Sequence, residues 1–537
     1  MTILHPPKTG PSISETPDAE ALIQEARRLR RRRWIIGTAA VVVLAMIGGG
    51  LAVSLNDRSP RSARIQVASK PEGPSVNVRG FRDQGRLAFI SKGKLFLLDG
   101  NAATLRALPS VPGFSPADPV MSPDGRWLAY TETRSANSTT TAQLWVARGD
   151  GADAHVVRGL SVGDFVGWSP TDDELAVGAN STVTFSIPNG STVTDTAATK
   201  IDLVSPSGRV HQLVALPAND GRPLQLSNAN WAPDGSAVAV ATWAVGDDGP
   251  AAIKSYPISG AVPTTWFSIS ATAKLPGICT GCGGANTVPT IAGWWKGWGI
   301  GFWVTNSGAT RNLDDTPLEL VTAPGAVPHI IGDTLSDGST VAFATDSRGD
   351  LALVSSTGGR EYGSGKAVEV CRRASESCTA IPDATVWNGK PLPCPPQGCA
   401  AQPAPGTPGS GVTIDPSWSP GGKLLAYENA PVVPNDVVPI DEWYDSHELF
   451  IWTASSNSSR KIADLSGASV PTWSRDGKDL LYVDNDALWL WPSTGGNPRQ
   501  IVAPLFPKSE WKGANGTDSF SFFEQVDWIN QFSWWSK

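Results

Sequence analysis

The residues of this 537-residue chain whose types and spacing could do chemistry are six cysteines, one acidic stretch around a histidine, and a crowd of tryptophans. The cysteines form three close pairs, Cys279/Cys282, Cys371/Cys378 and Cys394/Cys399. An even count in close pairs is the pattern of disulfides in an oxidising compartment, so all six are disulfide candidates. Cys371 and Cys378 bracket Arg372 to Ser377 between two predicted strands, where a bond would staple a hairpin. Cys279-Thr280-Gly281-Cys282 also has redox spacing, and with Cys394 and Cys399 it could offer four thiolates to zinc. A redox pair needs its first thiol at a helix N-terminus, and the loop-like flanks Leu275 to Ile278 and Gly283 to Asn286 argue against one.

The acidic stretch places Asp441, Glu442, Asp445 and His447 just before a predicted strand from Leu449. Such a set could bind a divalent cation, but the plainer expectation is a solvated acidic loop. His155, His211 and His329 fall in or beside predicted outer strands. Trp294, Trp295, Trp298 and Trp303 cluster as a candidate ligand patch, since exposed indole faces can stack on sugar rings. No G-x-S-x-G nucleophile elbow occurs. Gly363 to Lys366 imitate the end of a phosphate loop, but Arg360 and Ala367 stand where that loop needs a glycine and a hydroxyl. Arg348-Gly349-Asp350, a cell-adhesion tripeptide elsewhere, falls in a predicted turn. The expectation is therefore no catalytic residue, no cofactor and no metal.

The elements that must position these residues come from one recurring phrase, an aromatic or apolar residue, a polar turn ending in glycine, then an apolar strand. It starts at Phe81, Met121, Trp168, Trp231, Trp418 and Trp473, with degenerate copies at Trp295 and Thr345. In the copy at Met121, Pro123 presets φ for a tight corner, Asp124 can bond its own backbone, and Gly125 accepts a positive φ. Trp127 to Tyr130 then suit a packed strand. Second strands follow at Leu95, Leu144, Ile201, Leu318, Leu449 and Leu488, and third, more polar ones at His155, His211, Arg460 and Arg499. A repeat of this length, unable to bury its faces alone, predicts an all-β fold. The architecture is a β-propeller of eight blades, with seven or six as the alternatives. Phe522 to Asn530 are the expected closing strand, and the proline-rich residues 379–416 and residues 429–447 are expected loop inserts.

Ser122-Pro123-Asp124-Gly125, Trp231-Ala232-Pro233-Asp234-Gly235 and Trp418-Ser419-Pro420-Gly421-Gly422 resemble the PD40 (WD40-like) repeat of TolB-like propellers. The resemblance covers about residues 76–530 and implies a protein-binding or accessory module. The same repeat also stands before prolyl peptidases as a substrate gate, and this chain lacks that hydrolase.

Trp34 to Leu55 are uncharged and long enough to cross a bilayer. Arg27, Arg28 and Arg30 to Arg33 precede them, which by the positive-inside rule puts the N-terminus in the cytoplasm. A cleaved signal peptide is the second reading. The expected order is a cytoplasmic tail (1–33), a transmembrane helix (34–55), a linker (56–75), an extracytoplasmic propeller (76–530) and a C-terminal tail (531–537). A net charge of −7 with 17% charged residues excludes a polybasic, nucleic-acid-binding body. The functional expectation is a membrane-anchored binding or scaffolding module with a protein partner in the cell envelope. The alternatives are an envelope enzyme acting on glycans or peptides, a carbohydrate-binding protein, and a sensor signalling through the N-terminal tail.

Overall fold

The computed structural model describes residues 73–537 apart from 137–138, 187–191, 217, 220–221, 245–250, 270–286, 307–315, 335–340, 345–347, 357–364, 391, 393–402, 434–439, 463–466, 506–527 and 529. The predicted span 34–55 lies outside the described residues, and among those residues no helix is long and apolar enough to cross a membrane.

Among the described residues, antiparallel strands follow one another in eight four-stranded units, with Ala218–Asn219 as an added strand on unit 4. Units 2, 3 and 4 start at Ser115, Val162 and Arg222, and units 5, 6, 7 and 8 at Thr287, Val341, Gly411 and Ala468. Each copy of the phrase after the one at Phe81 makes the turn from a unit's first strand to its second, and the Phe81 copy leads into the second strand of unit 1. Units 5 and 6 share one hydrogen-bonded sheet through a single bridge, Thr334 to Ser355. Consecutive units pack face to face. Unit 8 meets unit 1 where Arg475 N–H donates to Ser536 Oγ (2.6 Å) and Ser91 Oγ donates to Pro504 O (2.6 Å). The chain therefore runs once around a ring of blades.

Two terminal strands clasp that ring. Unit 1 has Arg86–Ser91, Lys94–Asp99 and Thr104–Ala107, but its first strand is Phe532–Trp535, paired from Phe532 opposite Phe89 to Trp535 opposite Arg86. At the other end, Ser75–Val76 add a fifth strand to unit 8, opposite Ala503 and Val502. The closing strand thus lies beyond Phe522 to Asn530, in the stretch expected to be a tail. Most of 522–530 lies outside the described residues.

The turns follow from side-chain chemistry. Ser122 Oγ accepts from Trp127 N–H (2.9 Å) and donates to Asp124 Oδ1 (2.7 Å), which also accepts from Arg126 N–H (2.9 Å). Ser474, Asp476, Lys478 and Asp479 repeat this arrangement in unit 8. Gly125 sits at φ 71°, where a Cβ would strike the Trp535 ring of the preceding unit.

The tryptophan that opens the phrase ties units together. Trp168 Nε1 donates to Val120 O (3.0 Å), Trp231 Nε1 to Gly167 O (2.9 Å) and Trp473 Nε1 to Ser417 O (3.0 Å). Each acceptor is the residue just before the phrase in the previous unit. Trp418 follows the degenerate unit 6, and its buried indole N–H has no partner among the described residues. Between units 4 and 5 the tie is different: Asn228 Nδ2 donates to Ile291 O (2.8 Å) while its Oδ1 accepts from Ile291 N–H (2.8 Å).

The two expected loop inserts each send apolar side chains into the core. Ile381, Ala384, Leu392, Val433, Trp443 and Tyr444 belong to one apolar cluster with Phe89 of unit 1, Val354 of unit 6, Tyr427 of unit 7 and Val483 of unit 8. These apolar residues anchor parts of the inserts on the core, while residues 403–409 stay exposed.

The ties predict a graded response to one substitution. Trp231→Phe and Trp473→Phe keep most of the ring but orphan a carbonyl, and each should cost about 1 kcal/mol more than Trp418→Phe, which removes an N–H that was bonded to nothing. Urea unfolding of the three variants checks this; equal losses would deny the indole bonds any role.

Candidate functional site

The sequence candidates divide sharply. Cys371 and Cys378 form a disulfide and face each other directly across the third and outer strands of unit 6. Cys279, Cys282, Cys394 and Cys399 lie outside the described residues.

The tryptophan patch is corrected by burial. Trp295, Trp298 and Trp303 are only 8%, 3% and 1% exposed. Trp298 Nε1 donates to Gly349 O (2.6 Å) and Trp303 Nε1 to Thr334 Oγ1 (2.7 Å). Gly293 and Gly301 leave the room that Trp295 fills, since a Cβ on either would stand 2.2 to 2.3 Å from its ring. Trp294 is half-buried, edge-on to Trp266 at 5.1 Å. Indoles packed this way cannot offer faces to a sugar. Arg348-Gly349-Asp350 is likewise built in, with Asp350 buried and its carboxylate accepting from Arg372 Nη1 (2.5 Å).

The cation loop is corrected too. Ile440–Ser446 form a short helix, α1, which turns Trp443 and Tyr444 into the core. His447 follows it, fully buried, with its ring perpendicular to that of Trp443 at 4.1 Å. Glu442 is exposed on the helix, and no group of three or more histidines, cysteines or acids able to hold a metal occurs among the described residues.

His447 instead joins a polar cluster that the sequence reading missed. Its Nδ1 lies 2.7 Å from Glu428 Oε2, and both side chains are fully buried. Glu428 Oε1 accepts from Val470 N–H of unit 8 (2.6 Å). Ser469 Oγ stands 3.4 Å from His447 Nδ1, and Asp415 is hydrogen-bonded to Glu428 through its side chain. His447 Nε2 has no partner among the described residues.

Local backbone geometry puts these groups together. The first strands of units 2, 7 and 8 bulge three residues before the phrase, placing Asp118, Asp415 and Val470 at φ 51°, 49° and 53°. In unit 2 the bulge is quiet, with Thr131 Oγ1 donating to Asp118 Oδ2 (3.2 Å). Unit 7 has Glu428 at the position of Thr131, so a second acid meets the first. Asp415-Pro416 and Asp118-Pro119 share one offset from the phrase, and an acid in the place of a hydroxyl was the available signal.

Burial pushes the Glu428 carboxyl up to about 7, against the pull of Asp415, Val470 N–H and Ser469. Burial also pushes the His447 imidazole down to about 3, although Asp415 and Asp445 act the other way. Between about pH 3 and 7 the pair therefore holds one titratable proton, on the carboxyl, beside a neutral imidazole. Half-exposed Asp415 is the outermost member. The arrangement can hold and share a proton across the joint between units 7 and 8. Elsewhere, a polar cleft of about 210 Å³ opens at the seam of units 8 and 1, lined by Asp83, Gln84, Asp476, Lys478 and Asp479.

No protein-family model and no curated protein matches the chain. Among solved structures, it is similar to a eukaryotic initiation factor at 12% identity and TM-score 0.39, covering 78% of this chain and 96% of that one. It is similar to a prolyl endopeptidase at 13% and 0.40, covering 78% and 54%. TolB from Acinetobacter baumannii aligns at 13% and 0.28, covering 55% and 62%. Likenesses this distant add nothing to the strand order, on which the propeller fold rests.

The buried pair predicts a pH signature. The raised carboxyl stabilises the fold fully below about pH 4.5, and that contribution is lost as pH rises to about 7. The lowered imidazole does the reverse, its contribution present above about pH 6.5 and lost as pH falls towards 3. Between about pH 4.5 and 6.5 folded and unfolded chains each bind one proton at this pair, so its contribution is flat. Glu428→Gln leaves only the imidazole, and going from pH 7 to 5 should cost the variant about 2 kcal/mol more than the parent. Urea unfolding at the two pH values decides it; parallel behaviour of both proteins would rule out the shared proton.

Proposed function

We propose that the chain is a membrane-anchored binding or scaffolding module whose propeller works outside the cytoplasm. Its recognition surface is one face of the ring. The observation that carries this reading is an asymmetry between the two edges of the units. Turns from first to second and from third to fourth strands share one edge, and the longest are 322–328 and 344–350. The other edge takes the links from second to third strands and from one unit to the next, including 270–286, 381–410, 432–447 and 504–531. Long connections gathered on one edge of a rigid scaffold are where recognition is built. The opposite edge is spent on the repeated turns that hold each unit together.

The apolar run from Trp34 to Leu55 and the arginines before it support attachment with the N-terminus in the cytoplasm. The Cys371–Cys378 disulfide supports an oxidising compartment for the propeller. The readings as a sugar-binding protein or envelope enzyme drew on exposed indoles and an open group of acids. Of the indoles, Trp295, Trp298 and Trp303 are packed inside.

Two outcomes are expected. The full chain resists alkaline carbonate extraction from membranes, and a chain lacking residues 1–55 appears in the soluble fraction. Replacing residues 403–409 by a glycine-serine link should cut crosslinking of the full chain to its envelope partner about tenfold with urea unfolding unchanged. A carbonate-extracted full chain would refute the anchor, and undiminished crosslinking would remove the long-connection edge from recognition.

A further inference from the structure

We infer that the short-turn edge of units 4 to 6 lies on the bilayer, where Val262 and Val327 enter the headgroup boundary and Lys296 and Arg373 bind the phosphates of anionic lipids. The inference rests on the membrane attachment proposed above, because so small a surface binds weakly unless it is tethered. Residues 56–72 span at most about 60 Å, enough to let either edge meet the bilayer, so the chemistry of the surface must decide.

Two neighbouring units carry the same tetrapeptide in the same turn. Gly260-Ala261-Val262-Pro263 leads from the third strand of unit 4, Ala251–Pro257, to the fourth, Thr264–Ile269. Gly325-Ala326-Val327-Pro328 does so in unit 5, between Thr316–Val321 and His329–Thr334. Both valines are almost fully exposed, at 85% and 88%. The corresponding turns of the other six units hold no valine, leucine, isoleucine or aromatic residue, and residues 258–265 and 322–328 hold no charge. The tips are held from below. Gly260 N–H donates to Pro257 O (3.1 Å) and Ala326 N–H to Ala323 O (3.0 Å), while Ile258 and Ala326 pack on the apolar clusters behind them. Pro263 and Pro328 carry no N–H, which spares each tip one unsatisfied donor in an apolar medium.

Cations border the tips. Lys296-Gly297 lie in the turn from the first to the second strand of unit 5, and a Cβ on nearby Gly299 would strike Val321 and Thr322 at the foot of the second tip. Arg373, in the outer turn of unit 6, lays its guanidinium over Gly297, where a Cβ would stand 2.5 Å from it. Lys296 and Arg373 are exposed, and neither has an acidic partner among the described residues. The described acids of these turns are engaged: Asp234 accepts from Ser236, Asp350 from Arg372, and Glu376 Oε2 lies 3.0 Å from His329 Nε2. Protruding aliphatic tips beside unpaired cations fit a surface that is apolar beneath anionic headgroups. A protein partner fits less well, because valine seldom anchors protein interfaces.

The test reconstitutes the full chain into vesicles of phosphatidylcholine, with or without phosphatidylglycerol, that carry spin-labelled acyl chains. A fluorescent residue replaces Val262 or Val327, or as controls Ser456 on the same edge in unit 7 and Pro405 on the other edge. The expected result is quenching at 262 and 327 in the vesicles with phosphatidylglycerol and little at 456 and 405. Lys296→Glu combined with Arg373→Glu should reduce that quenching severalfold, as should leaving out phosphatidylglycerol. In native membranes a photo-crosslinking residue at 327 should give lipid adducts. No quenching at 262 and 327, equal quenching at all four positions, quenching indifferent to both the charge reversal and phosphatidylglycerol, or adducts with protein alone would each overturn the proposal. Flotation of the same vesicles keeps the two readings apart. A chain that does not float refutes the anchor and this inference with it, whereas a floating chain with any of those results refutes only the lipid-contacting edge.

Discussion

An indole N–H bonded to the backbone of the preceding unit is the contact on which this ring depends. A four-stranded sheet with two apolar faces has no stable existence alone, and apolar packing between neighbours is non-directional. Trp168, Trp231 and Trp473 add the missing direction, because each reaches one particular carbonyl and so sets how one sheet sits on the next. Where the phrase decays the tie changes: the Asn228 amide takes it over between units 4 and 5, and after unit 6 Trp418 keeps its ring in the core without a bond. Near that break, Arg348 of unit 6 reaches Gly422 O in the turn of unit 7, and the two inserts pack across units 6 to 8.

What could be read from the sequence follows the range of the forces involved. Ser122-Pro123-Asp124-Gly125 closes its own turn, so the turn is visible in four letters. The strand that completes unit 1 is set by residues more than four hundred positions away, and both Phe522 to Asn530 and Phe532 to Trp535 have the apolar content for it. Only the pairing with Arg86 to Phe89 decides between them. Exposure of the Trp294 to Trp303 group was equally hidden, since it depends on the space left by Gly293 and Gly301. His447 was nearer to hand. His447 follows the short helix, four residues after Trp443 and three after Tyr444, all three buried while Glu442 is exposed, a spacing obscured by the number of acids.

The Glu428–His447 pair illustrates how a repeat acquires an individual feature. The bulge that carries it is common property, and unit 2 satisfies it with a hydroxyl and one carboxylate. Placing a second carboxyl there would be costly if both were ionised, and burial answers by keeping a proton on Glu428. His447 shares that proton and Val470 of the next unit binds the other oxygen, so an acid that would repel its neighbour becomes part of a joint between units.

The terminal clasp has a mechanical meaning. Any pull transmitted along the chain from its N-terminal side arrives at Ser75 and Val76, a strand of two residues laid antiparallel on unit 8 and loaded from its free end. Strands loaded in that way unzip one pair at a time instead of shearing together. The short strand would therefore yield first and lengthen the tether, while Phe532 to Trp535, entering unit 1 from the opposite end of the chain, kept the ring shut. A fold closed by a strand from each terminus separates the task of bearing load from the task of staying folded.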